Sequence, residues 1–235
     1  MSGIAERLDE IQARIAAACA AAGRSPAEVT LVGVSKNHPA AAIEAAWRAG
    51  LRVIGENRVQ EALAKSRELA HLPPPPEGPE WHLIGPLQTN KVRPALDLFR
   101  TVHAIDRPRI AAAVDREAGS RGGQVTGFLE VNLGEEESKH GFPLPGFAET
   151  VRPLAELRHL RIAGLMAIPP MAEDPEESRR WFVRLRKLRD ELAARPEWAG
   201  FPGWLSMGMS HDYEVAIAEG ATHVRVGTAL FGARE

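Results

Sequence analysis

Cysteine is nearly absent from this chain. Cys19 stands alone among 235 residues, so no internal disulfide can form, which fits a reducing compartment. Long apolar runs are missing too. Nothing reaches the roughly 18 residues that a membrane-spanning helix needs, and the first residues lack the basic start and apolar centre of a signal peptide. These absences make the cytoplasm the expected location, away from any membrane. Neither sign of charge dominates: 29 Lys+Arg against 31 Asp+Glu leave a net charge of -2, which offers nucleic acid or an anionic surface no basic patch. Eight histidines and one cysteine show no metal-ligand spacing. Lysine is the scarcest group with chemical meaning. Only five of the 29 basic residues are lysines: Lys36, Lys65, Lys91, Lys139 and Lys187.

What is present is a 44% hydrophobic chain able to bury a sizeable core. Its first segment reads as an amphipathic helix, with Ile4, Leu8, Ile11 and Ile15 at helical spacing, Cys19 within it and Gly23 as its stop. Strand-like and helix-like segments then alternate strictly. "VTLVGV" (29–34), "RVIG", "WHLIG", "RTVHAI", "VTGFLEVN", "LRIAGLMAI", "GWLSMG" and "ATHVRVG" read as strands, and each is followed by a helix-like stretch, among them 87–99 and 143–157. "HLPPPPEGPE" is loop, and the acidic "GEEES" (134–138) reads as a solvated loop. Eight such units predict an α/β fold: one (β/α)8 TIM-type barrel with an additional N-terminal helix, residues 1–235 forming a single domain. A doubly wound open sheet is the alternative, but "SKNHPA" after the first strand lacks the glycines of its phosphate fingerprint.

In a barrel, chemistry gathers where the strands end. The residues there are Lys36, Glu56 and Asn57, His82 and Gly85, His103, Asn132, Met166, Ser206, and Arg225 with Gly227. Lys36 either snorkels from the barrel mouth or sits in an apolar, partly dry site. In such a site its pKa would be depressed and its neutral amine would attack an aldehyde. "SMGMSHD" (206–212) and "RVGTALFG" (225–232) follow the last two strands, the usual phosphate site of a barrel. Gly208 and Gly227 permit close backbone approach, Ser206 and Ser210 offer hydroxyls, and Ser210 and Thr228 stand at expected helix N-termini. These are phosphate ligands or ordinary caps and turns. Together, an imine-forming lysine and a phosphate cradle suggest pyridoxal 5'-phosphate. His82 lines the pocket or is a satisfied core residue; Asn57 and Asn132 bond the cofactor or cap and brace their turns; Met166 packs. Lys91 either joins an anionic surface site or is solvated.

Five ordered motifs, "VGVSKNHP", "GENRVQEALAK", "WHLIGPLQTNK", "GLMAIPP" and "SMGMSHDYEVAIAEGATHVRVGTALFG", run from Val32 to Gly232 and resemble the pyridoxal phosphate homeostasis protein family (YggS/PROSC type). The resemblance implies a barrel related to the N-terminal domain of alanine racemase, with the cofactor held as a Schiff base by the lysine that matches Lys36. It implies phosphate-binding segments at Ser206 to Ser210 and at Gly227 to Thr228, and an arginine, Arg225, facing the pyridine nitrogen. Lys139, in "EEESKHGF", falls in a family-like stretch. Arg58 departs from the family, which more often has an aromatic residue there, and this puts a stacking role at that position in doubt. The implied function is a non-enzymatic carrier that delivers the cofactor to apo forms of pyridoxal phosphate enzymes. Two other classes stay open: a pyridoxal phosphate-dependent amino-acid racemase, and a cofactor-free barrel acting on a sugar phosphate through Lys36. The racemases supply a second base, a tyrosine, from a further domain across the dimer. The expectation here is that no such domain follows Glu235, that Tyr213 does not reach the opposite face, and that the chain is a monomer.

Overall fold

A computed structural model of the chain describes residues 3–136, 140–170 and 172–233, so Lys139 and positions 137–138 of the acidic loop lie outside the described residues. The strands are β1 (Thr30–Val34), β2 (Val53–Glu56), β3 (Glu80–Leu83), β4 (Thr101–Ile105), β5 (Val125–Asn132), β6 (Phe142–Pro143), β7 (Leu160–Met166), β8 (Trp204–Met209) and β9 (His223–Val226). Eight of them form a closed parallel ring in the order β1-β2-β3-β4-β5-β7-β8-β9, with β9 returning to β1 through Val32↔Arg225. The two-residue β6, which sequence reading did not foresee, adds to β5 beyond the ring. The helices are α1 (Ile4–Ala21), α2 (Ala40–Arg48), α3 (Val59–Glu68), α4 (Val92–Ala95), α5 (Pro108–Ser120), α6 (Phe147–Val151), α7 (Arg179–Ala193), α8 (Tyr213–Ala218) and α9 (Thr228–Phe231). This is the expected (β/α)8 barrel with an N-terminal helix.

The period-2 geometry of a strand divides its side chains between two layers. Ile54, Leu83, Val102, Leu129, Leu165, Leu205 and Val224 join the helices in one continuous core. Val32, Val53 and Ile84 on one side and Ala104, Phe128 and Met166 on the other fill the inside of the ring. Along α1, Leu8, Ile11, Ile15 and Cys19 are buried, so the apolar stripe lies against the neighbouring α8 and α9. Each leucine- or isoleucine-sized side chain so covered contributes about 1.5–3 kcal/mol.

Three local expectations need correction. Residues 87–99 form only a single 3-10 turn, Thr89–Lys91, and the short α4; Pro94 has no N–H to extend a ladder. Residues 143–157 divide into α6 and a 3-10 stretch, Arg152–Glu156, with Pro153 at its start. Asn57 is not the N-cap of α3. Arg58 holds that position in an extended conformation without a side-chain cap bond. Asn57 is instead packed closely on Gly85, where a Cβ would stand 2.4 Å from the Asn57 carbonyl oxygen.

Candidate functional site

The ends of β1, β2, β8 and β9 surround a cavity of about 360 Å³, within the roughly 300–1,000 Å³ of small-molecule sites. Lys36, Asn57, Ser210, Arg225, Gly227 and Thr228 all line it. So do Val34, Ile84, Ile168, Met209, His38 and His211, which sequence reading did not single out. Ile168 had a signal: it is a large hydrophobic side chain at the end of "GLMAI", and it is 42% exposed at the cavity rim.

Lys36 lies in the turn that leaves β1, half-buried, and among the described residues its ammonium has no hydrogen bond or ion pair. The turn itself is pinned from outside the ring. Lys65, on α3, donates to the Ser35 carbonyl at 2.7 Å, to Glu56 Oε1 at 2.6 Å and to Glu61 Oε1 at 2.8 Å. Ser35 Oγ also donates to Glu56 Oε1 at 2.6 Å, and the Asn37 N–H donates to Glu61 Oε1 at 2.7 Å. Both neighbours of Lys36 are thus tied to one buried ion-pair network. Burial pushes the Glu56 carboxyl above its usual range, against the pull of Lys65 and Ser35. Asn37 takes φ 62°, a left-handed conformation that asparagine tolerates better than most residues.

Opposite, the N–H groups of Gly227 and Ala229 both donate to Ser210 Oγ, at 3.1 and 3.4 Å. Thr228 opens α9, as expected. Ser210 does not stand at a helix N-terminus: α8 begins at Tyr213 behind Asp212, whose Oδ1 accepts from the Met209 N–H at 2.8 Å. That side-chain bond holds the turn so that the Ser210 hydroxyl lies over the start of α9. Gly227 leaves little room, since a Cβ there would lie 3.3 Å from the Val34 carbonyl oxygen.

Arg225 forms part of the cavity lining yet is only 4% exposed. Its Nη1 donates to Ser206 Oγ at 2.6 Å and its Nη2 to the Ala167 carbonyl at 2.9 Å. Burial lowers its pKa to about 10, which leaves it cationic at neutral pH. Two buried carboxyls at the ends of β4 and β5, Asp106 and Glu130, each keep one oxygen without a hydrogen-bond partner among the described residues. Burial, then the nearby Asp106, pushes Glu130 up to about 7. A glutamate inside the apolar run "GFLEVN" was the available sign of it.

Several sequence-derived candidates do not line the cavity; Gly208 is one, and Asn132 is another, its amide bracing its own turn through the Glu136 backbone. Met166 is fully buried against Ala104 and Phe128 inside the ring. Ser206 and His82 are 0% and 3% exposed and belong to a polar chain beneath Arg225. Among the described residues, no three potential metal ligands stand together and no helix is long and apolar enough to cross a membrane.

The alanine racemase N-terminal domain family matches residues 7–235 of the chain. The pyridoxal phosphate homeostasis protein of Pseudomonas aeruginosa is 46% identical over 238 residues, covering 100% of this chain and 97% of the relative. The protein of the same name from Aquifex aeolicus is 44% identical, with 98% of each chain covered. PipY of Synechococcus elongatus PCC7942, in its structure with PLP bound, superposes with a TM-score of 0.82 at 39% identity, covering 98% of this chain and 100% of that one. The closed barrel, the lysine after its first strand and these full-length similarities agree: the chain belongs to the alanine racemase N-terminal domain family, among the pyridoxal phosphate homeostasis proteins.

Proposed function

We propose that this chain, as one cofactor-binding domain over residues 1–235, binds pyridoxal 5'-phosphate, holds it through Lys36 and releases it to apo forms of pyridoxal phosphate enzymes. The observation that carries the reading is the convergence on one cavity of an amine unpaired among the described residues, an anion-accepting turn and a buried guanidinium.

The donor set fits the group. The Asn57 side-chain oxygen is buried beside the cavity, without a partner among the described residues. The Gly227 and Ala229 N–H groups converge on a hydroxyl that rotates easily, and two N–H donors at a helix start suit a phosphate oxygen. When bound, the cofactor supplies an electrophilic aldehyde carbon joined to a conjugated ring. Lys36 Nζ, which no carboxylate holds among the described residues, would supply the amine that bonds to that carbon, with the aldehyde oxygen leaving as water. Ser210, Gly227 and Thr228 hold the phosphate. Arg225, cationic at neutral pH, donates to the ring nitrogen and opposes its protonation. Such a ring is a weak electron sink, which suits storage better than turnover of amino acids. We take the protein to act as a cytoplasmic monomer; light scattering and cell fractionation test those two points.

Borohydride reduction of the loaded protein, followed by peptide mass mapping, tests the reading. The pyridoxyl group is expected on Lys36, and attachment mainly at Lys91 or Lys139 overturns it. Transfer to an apo-enzyme is followed in the same preparation. One observation favours the racemase alternative: His38 and His211 line the same cavity and are potential second bases. Tyr213 is not one of the lining residues; it is 1% exposed, with the Arg14 guanidinium 5.3 Å from its ring centre. Deuterium exchange at Cα of a panel of amino acids decides. Multiple turnovers of stereoinversion that vanish in Lys36→Ala would establish the racemase.

A further inference from the structure

A line of polar side chains crosses the inside of the barrel, past the buried ring of His223, whose centre is 5.6 Å from that of His103. It starts at Arg225 on the cavity and ends at Glu80, the first residue of β3, at the opposite face. Arg225 Nη1 and Ser206 Oγ are 2.6 Å apart. Ser206 Oγ and His103 Nδ1 are 2.7 Å apart, His103 Nε2 and His82 Nδ1 3.0 Å, and His82 Nε2 and Glu80 Oε1 3.1 Å. Ser206 and His103 are both fully buried.

The two ends fix the direction of every proton between them. Arg225 has only donors, so Ser206 Oγ accepts from it. The hydroxyl proton then needs an acceptor, and the neighbour within reach is His103 Nδ1. His103, with Nδ1 accepting, carries its proton on Nε2 and donates to His82 Nδ1. His82 then carries its own proton on Nε2 and donates to Glu80. The reverse direction would make Ser206 accept twice and leave its proton buried without a partner, at a cost of about 1–3 kcal/mol. Burial, with the Arg225 charge acting in the same direction, holds His103 well below the usual histidine range, so one proton per ring is its state at neutral pH. The bond from His82 is the leading influence that keeps Glu80 below the usual range, as an acceptor requires.

We propose that Ser206, His103, His82 and Glu80 form a one-way hydrogen-bond relay that positions Arg225 for the ring nitrogen of the cofactor, with both histidines fixed as Nε2–H tautomers. Ser206 and the two histidines are positioning residues, since they act through Arg225. The relay gives Ser206, His103 and His82, which do not line the cavity, a role inside the barrel.

The role of Arg225 rests on the cofactor reading, whereas the tautomers do not, so the two fail separately. Long-range proton–nitrogen correlation NMR of the histidine-labelled, cofactor-free chain at neutral pH reads the tautomers. Nε2–H on both His82 and His103 is expected, and Nδ1–H on either overturns the relay. In Ser206→Ala, the His103 Nδ1 resonance should move toward that of a nitrogen without a donor, and pyridoxal 5'-phosphate should bind about tenfold more weakly. An affinity unchanged from that of the starting protein overturns the positioning role. Should that variant fail to fold, the tautomer measurement on the unaltered chain decides the relay, and the affinity of His82→Gln for pyridoxal 5'-phosphate decides the positioning role, an unchanged value overturning it. Loss of the Lys36 label with both tautomers as expected refutes the cofactor reading and leaves the relay standing.

Discussion

Lys65 and Lys36 lie on either side of the same turn, and their surroundings are opposite. Lys65 is outside the ring, between sheet and α3, with its side chain 8% exposed and three oxygens within 2.8 Å of its ammonium. Lys36 faces the cavity, and among the described residues no acceptor holds it. A buried ammonium must be paired, whereas one that is to react must not be. The saturated lysine serves the unsaturated one: by gripping the Ser35 carbonyl and the two glutamates that hold Ser35 and Asn37, Lys65 fixes the backbone from which Lys36 projects. A lysine's role thus follows from its acceptors, and these two roles separate experimentally.

The largest effect is expected at Lys65. Lys65→Ala leaves Glu56, fully buried, without its counter-ion, and breaking such a pair costs about 3–5 kcal/mol. Denaturant unfolding should show that loss, while Lys36→Ala changes stability by no more than ~0.5 kcal/mol and removes the borohydride-fixed label. Equal stability losses in the two variants would break the distinction between support and reactive group.

Next in size is Glu130. Its folded pKa is raised, so its contribution to stability is complete below the ordinary 4.5 and is lost as pH rises through about 7. At ~1.36 kcal/mol per pH unit that gap amounts to about 3 kcal/mol. Glu130→Gln should therefore unfold like the parent near pH 4.5 and be more stable by about 3 kcal/mol at pH 8.5. Parallel pH profiles would mean that Glu130 is paired in solution. His223 runs the other way: burial, then His82 and Arg225, lower it to about 3, so its contribution is lost as pH falls below its ordinary 6.5. Acid unfolding of Glu130→Gln should retain that second limb.

The smallest effect concerns the anion end of the cavity. Gly227→Val should push on the Val34 carbonyl and tilt the Gly227 and Ala229 N–H groups. Pyridoxal 5'-phosphate should lose about tenfold in affinity, roughly 1.4 kcal/mol, and unphosphorylated pyridoxal much less. Equal losses for the two would move the phosphate elsewhere.

Much of this site was legible in one dimension because a barrel sends its strand ends to one face. Once the eight βα units are counted, Lys36, Asn57, Arg225, Gly227 and Thr228 are neighbours by topology, though Lys36 and Arg225 are 189 positions apart. The misses have two causes. The helix start expected at Ser210 belongs to Asp212, and of the two readings of Asn57 the capping one fails because Arg58 fills that position; a cap depends on where backbone N–H groups point. Strand position leaves His82 open between pocket and core and brings Ser206 to the site, because it gives the side of the sheet and not the depth below the rim.

The sequence by itself determined the alternation of elements, the closed parallel ring and the lysine at the end of its first strand, since periodicity and chain direction are local properties. Tertiary structure decided which lysine is free and which is paired, how deep each polar side chain lies inside the ring, and that Arg225, Ser206, His103, His82 and Glu80 join into one chain. Those outcomes depend on distances of about 3 Å between residues from four different strands, which only the closure of the barrel sets.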